Sequence, residues 1–225
     1  TVFRYNGSYY ERLSMDKFYG LIYGRLRDEL SVTGSSRQIK SVAAAILAEP
    51  RIEVIDNENS KVLLCMNNGI LNLNNFMLSS HTHSFFITWK LNVDWCGPQP
   101  CPVCDRFIET VAGGDLILIQ RFWEVIGYVL VPDNRAKRFV LFQGLGDTGK
   151  SVLGALIKSF FDPEAVGGVD IFKLGDRFSL ASLVSKRVNI SMDLSNASLN
   201  EQAVSTIKQV TGRDLVQVEE KYKAP

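Results

Sequence analysis

The chain has 225 residues, 46% hydrophobic and 10% aromatic, and its 25 Lys and Arg against 24 Asp and Glu leave a formal net charge of +1. That composition can bury a core and excludes a disordered chain, and the near-neutral balance excludes a global field for nucleic acid, so any DNA contact must come from a local basic patch. No apolar run is long enough to span a bilayer, the start Thr1–Gly7 lacks a signal-peptide pattern, and the 4 cysteines are too few for a disulfide scaffold in a chain of this length, so a reducing, cytoplasmic setting without membrane contact is expected.

In chain order, Phe3 to Tyr10 reads as a hairpin, with Asn6-Gly7 suited to a two-residue type I′ turn. Ser14 is placed to cap a helix in which Phe18, Leu21, Ile22, Leu26 and Leu30 recur at helical spacing. A second helix is expected from Ser35 or Ser36, burying Ile39, Val42, Ile46 and Leu47 and ending at Pro50. Short strands follow at Arg51–Ile55 and Lys61–Cys65. Asn67-Asn68-Gly69 then turns the chain into Ile70–Leu73. Phe85–Val93 is rich in β-branched and aromatic residues and reads as a strand. Asp94–Cys104, with three cysteines and three prolines, reads as a loop.

Leu116–Leu130 is a strongly apolar helix carrying Ile119, Phe122, Trp123 and Ile126, and Pro132-Asp133-Asn134 closes it. The domain boundary is placed there. Residues 1–134 form a mainly helical α+β domain, and residues 135–225 change to strand, glycine loop, helix, strand, helix, strand. That alternation predicts an α/β nucleotide-binding core.

Gly144-Leu145-Gly146-Asp147-Thr148-Gly149-Lys150-Ser151 fits the phosphate loop G-x-x-x-x-G-K-[ST]. Its glycines let successive backbone N–H groups point at phosphates. Lys150 reaches the β and γ phosphates, the Ser151 hydroxyl ligates Mg²⁺, and the following helix presents its positive end to the anion. The context fits as well: Arg138–Gln143 reads as a buried strand before the loop, and Val152–Ile157 opens a helix after it. ATP with Mg²⁺ is the expected ligand.

A phosphate-loop hydrolase needs a carboxylate at the end of a neighbouring strand to hold Mg²⁺ and its water. Arg187–Met192 reads as that strand and Asp193 as the acid, with Glu164 and Asp170 as the alternatives.

Taken together, Asn68–Leu73, Gly127–Leu130, the phosphate loop, Val188–Ile190 leading to Asp193, and Ile207-Lys208 through Thr211–Asp214 resemble the superfamily 3 helicases of the phage/plasmid and poxvirus primase–helicase type. The resemblance covers nearly the whole chain. It implies a P-loop, AAA+-like three-layer α/β ATPase core behind a helical amino-terminal domain. It also implies an ATP-dependent DNA helicase subunit in replication, a hexameric ring on single-stranded or forked DNA, and a setting in a bacterial host or virus-infected cell. Relatives often carry two adjacent acids where Met192-Asp193 stands here. The chain lacks an initiating Met and stops after a strand-like run, so both ends are expected to be cuts inside a longer protein. The sensor Asn and the neighbour-acting arginine would then lie past Pro225.

Val216–Lys223 alternates like a hairpin arm, which puts Lys221 and Lys223 on one face and Tyr222 on the other. The resemblance makes these residues candidates for phosphate contact and base stacking. Cys101-Pro102-Val103-Cys104 is a C-x-x-C, but a second ligand pair would need Cys96 with His81 or His83 at unusual spacing, so no zinc is expected. Two other readings stay open. One is a nucleotide-gated DNA-binding or assembly module that does not hydrolyse; the other is a P-loop small-molecule kinase, for which no arginine-bearing lid is evident after Ser151.

Overall fold

The computed structural model describes residues 2–31, 33–49, 61–131, 133–192, 194, 198–214, 216 and 218. Strand β1 (Val2–Tyr5) pairs antiparallel with β2 (Tyr10–Leu13). The connection is not the expected two-residue turn. Tyr5 faces Tyr10, so four residues lie between, and the Asn6 side-chain oxygen accepts from the Ser8 and Tyr9 amides, both at 3.0 Å. An Asn side chain that takes these donors itself closes a longer loop.

Helix α1 (Met15–Leu30) starts at Ser14, whose hydroxyl accepts from the Lys17 amide at 3.2 Å. Helix α2 (Ser36–Ala48) starts at Ser35 with a reciprocal capping box to Gln38. Its buried positions are Ile39 and Ala43, which pack with Ile22 of α1. Val42, Ile46 and Leu47, expected in the core, are exposed. Only one edge of the helix meets α1, with the small Ala43 at the contact. The strand expected over Arg51–Ile55 lies outside the described residues.

Strands β3 (Leu63–Met66), β4 (Gly69–Asn72) and β5 (Met77–Ser79) form an antiparallel sheet in that order. All four residues of β3 are buried, so both of its faces are covered. Residues 85–93 do not make the expected strand. Their amides and carbonyls are shared among four partners: Ile87 O accepts from Tyr10 N at 2.7 Å, Leu91 N donates to Cys65 O at 2.8 Å, Val93 O accepts from Asn67 N at 2.9 Å, and Asn92 N donates to Phe160 O at 2.8 Å. A segment bonded in three directions stays extended without forming a ladder.

The cysteine loop ends earlier than its composition suggests. Pro102 opens helix α3 (Pro102–Val111), where its fixed φ suits the first turn, so Cys104 is helical. Helix α4 (Leu116–Leu130) has the expected bounds, with Asp115 accepting from the Ile117 and Leu118 amides at 2.8 and 3.2 Å.

Beyond α4 the expected buried strand Arg138–Gln143 is absent. Phe139, Val140 and Leu141 are 58%, 41% and 59% exposed, and no described strand lies beside them to pair with. Helix α5 (Lys150–Ser159) follows, then β6 (Val166–Gly167), parallel to β7 (Val188–Asn189), and helix α6 (Glu201–Gly212). The fold is mixed α/β. Among the described residues its parallel sheet is this one short pair, extended by Ile190 N donating to Gly167 O at 3.0 Å. No helix among the described residues is long and apolar enough to cross a membrane.

One core joins the two halves of the sequence. Leu64, Met66 and Leu71 of the sheet, Ile108 of α3 and Ile126 of α4 pack in the same cluster as Leu153 and Ile157 of α5 and Phe161. The other face of the sheet buries Leu63, Cys65 and Ile70 with Ile87.

Candidate functional site

The glycine loop sits directly on the amino-terminal end of α5. Gly149 is the residue before the helix, with φ +84°, a conformation that glycine adopts without penalty. A Cβ there would also lie 2.8 Å from Val111 Cγ2 and 3.3 Å from Phe107 Cε2, so α3 packs against the loop. No side chain caps the start of α5, which leaves its first amides for an external acceptor. Asp147 also has a positive φ, +56°, and the loop curls between it and Gly149.

The Lys150 amine folds back over this loop. It donates to Gly144 O and Thr148 Oγ1, each at 3.0 Å, and to Leu145 O at 2.5 Å, while Thr148 Oγ1 donates to Leu145 O at 2.9 Å. The ammonium is thus held at the concave centre of Gly144–Gly149 by neutral acceptors. Leu145, Gly146, Asp147 and Thr148 are exposed, as is Ser151 on the first turn of α5. The eight loop positions named from sequence are therefore together in space.

The acid is a different matter. Asp193 lies outside the described residues, as do Lys221, Tyr222 and Lys223. The residue before Asp193 is described: a Cβ at Gly154 would meet Met192 Sδ at 2.7 Å, so Met192 packs on α5 one turn beyond Ser151. Glycine at 154 is what allows that approach. Of the alternative acids, Asp170 accepts from Phe172 N at 3.0 Å as the cap of the 3₁₀ turn Ile171–Lys173, and Glu164 sits in the 3₁₀ turn Pro163–Ala165.

The three loop cysteines do not converge with the histidines: no group of three or more His, Cys, Asp or Glu among the described residues is arranged to hold a metal ion. Cys101 and Cys104 instead interact with each other. Hydrogen bonding from the Cys104 thiol lowers the pKa of Cys101, and the same bond raises that of Cys104. Burial pushes Cys65 up to about 11.

Residues 2–113 match the family model described as D5 N terminal like. The amino-terminal half resembles D5. That match supports a relation to the phage/plasmid primase–helicase proteins of D5 type, a replication family. Residues 142–225, which begin just before the glycine loop, match a family of unknown function (DUF5906). No curated protein matches the chain. The D5-like region includes α3, whose Phe107 and Val111 touch Gly149. Sequence reading missed that contact, because a Phe and a Val on a helical face carry no sign of which distant loop they meet.

Proposed function

We propose that this chain binds ATP with Mg²⁺ at Gly144–Ser151 and acts as an ATPase subunit of a DNA helicase of the primase–helicase type. Support comes from the Lys150 amine centred on a curled glycine loop at an uncapped helix start, in a chain whose amino-terminal half resembles D5. Phosphate oxygens are stronger acceptors than carbonyls for a lysine ammonium, so a triphosphate would draw Lys150 off Gly144 O and Leu145 O. The amides of the first turn of α5 would take further oxygens. The Ser151 hydroxyl and the Asp193 carboxylate are oxygen donors of the kind Mg²⁺ takes, and few protein ligands suffice when phosphates supply the rest. Bound there, the ion would neutralise charge on the phosphates. Asp193 would orient the attacking water, and Lys221, Tyr222 and Lys223 would contact DNA.

Met192 favours a second reading. A thioether stands where relatives often have the first of two acids and can neither ligate Mg²⁺ nor accept a proton, which suits a module that binds nucleotide to gate DNA binding without turnover. ATP turnover with and without single-stranded DNA separates the two. The helicase reading expects DNA-stimulated turnover that falls at least tenfold in Asp193→Asn. Nucleotide binding with no turnover in either protein would favour the gated module, and normal turnover by Asp193→Asn would move the acid elsewhere.

A further inference from the structure

A second charged site lies away from the glycine loop. A cleft of about 370 Å³ opens between the amino-terminal sheet and the segment that leads into β7, and none of its lining residues belongs to Gly144–Ser151. Lys61, Lys186, Arg187 and Arg213 line it, and Asp133 is the one acid among its described lining residues. Phe86 and Trp89 supply an aromatic wall.

Among the described lining residues, Lys186, Arg187 and Arg213 outnumber the one acid. Asp133 is shared between Arg213 at 3.3 Å and Arg135 at 3.7 Å. Arg187 stacks on Trp89, its guanidinium carbon 4.6 Å from the ring centre, and donates through Nη2 to Val131 O. Its Nε is buried and has no hydrogen-bond partner among the described residues. Burial lowers the Arg187 pKa to about 10, with Asp133 the opposing influence. The Lys186 amine donates to a neutral acceptor, Glu164 O, at 2.6 Å.

We propose that this cleft binds single-stranded nucleic acid, holding backbone phosphate against Arg187, Arg213 and Lys186 with an unpaired base against Phe86, since Arg187 already covers Trp89. Guanidinium forks match phosphate oxygens, and the cations outnumber the acid. An aromatic ring inside a nucleotide-sized cleft, here Phe86, selects an unstacked base, which a duplex does not offer. The site stands independently of the glycine-loop reading.

The test uses fluorescence anisotropy of a labelled dT12 oligonucleotide across a salt series, with the chain carrying Lys150→Ala so that the glycine loop contributes nothing. Each phosphate contact on a single strand contributes about 0.7 to the slope of log affinity against log salt, so Lys186→Ala/Arg213→Ala should flatten the slope by roughly 1.4. Affinity at low salt should fall at least about tenfold. If Arg213 proves necessary for folding, Lys186→Ala alone, which gives up only a bond to one carbonyl, should flatten the slope by about 0.7. Lys221→Ala/Lys223→Ala separates this site from the carboxy-terminal lysines and should leave the cleft's share of the slope intact. Unchanged slope and affinity in a folded cleft variant would overturn the proposal. So would failure of the parent chain to bind dT12, or dTMP binding as tightly as dT12.

Discussion

The sheet β3–β4 and the segment Arg138–Gly149 are both apolar in sequence, yet they end up in opposite situations. In β3–β4 the backbone groups pair across a two-residue turn, and both faces are covered, one by Ile108, Ile126 and Leu153, the other by Ile87. In Arg138–Gly149, Phe139, Val140, Leu141 and Leu145 are exposed, Phe142 alone of its apolar side chains reaches the core, and the backbone has no ladder partner among the described residues. What organises the loop is a lysine donating to its carbonyls. The first region is built for stability. The second is arranged around a charge bonded only to exposed loop atoms, which is how a binding loop on a rigid support behaves.

The comparison breaks most readily at Ile108, which is 0% exposed in the shared core. Ile108→Ala should cost about 2–5 kcal/mol in chemical denaturation, because the lost contacts leave a cavity ringed by both halves of the chain. Two separate unfolding transitions, with only one shifted, would show that the halves do not share that core.

Lys150→Ala should behave in the opposite way. Its partners are exposed loop atoms, so stability should stay within about 0.5 kcal/mol of the parent. ATP turnover should fall by one to two orders of magnitude, equivalent to roughly 1.4–2.8 kcal/mol. Loss of stability with intact turnover would mean the lysine serves only to tie the loop.

Gly149→Ala sharpens the contrast, since it strains the support and the loop together. The left-handed conformation alone costs a non-glycine residue about 1–2 kcal/mol, and the new methyl would press on Val111. Nucleotide affinity should drop along with the melting temperature, and a variant with parental values for both would remove α3 from the account of the site.

The smallest expected effect is chemical and concerns the cysteines. With iodoacetamide followed by mass spectrometry, Cys101 should be alkylated first and at lower pH than Cys104, because its thiolate is stabilised by the neighbouring thiol. Cys65, buried and raised to about 11, should react last. Equal rates at Cys101 and Cys104 would mean that the two thiols do not interact.

Local signals read well from the sequence. Ser14 and Ser35 are side chains that satisfy helix-end amides within three residues, and both cap helices that start where expected; Asp115 does the same at α4, a cap that was not expected. The turn at Gly144–Gly149 and the helix that follows it are legible for the same reason, being one continuous stretch. Failures came where partners are distant. Residues 85–93 have strand composition, but their hydrogen bonds go to Tyr10, Cys65, Asn67 and Phe160, which no window of sequence reveals. Val42, Ile46 and Leu47 have the right spacing for a buried face, but how much of α2 is covered depends on how it meets α1. The cleft was invisible for the same reason: Lys61, Asp133, Arg187 and Arg213 are brought together only by the fold.

The central claim is that Gly144–Ser151 takes a nucleoside triphosphate, and isothermal titration of Mg·ATP into the chain and into its Lys150→Ala variant tests it most directly. The account predicts saturable binding at one site per chain, lost or weakened at least tenfold in a variant that melts at the parental temperature. No binding to the parent chain, or equal binding by both proteins, would contradict it.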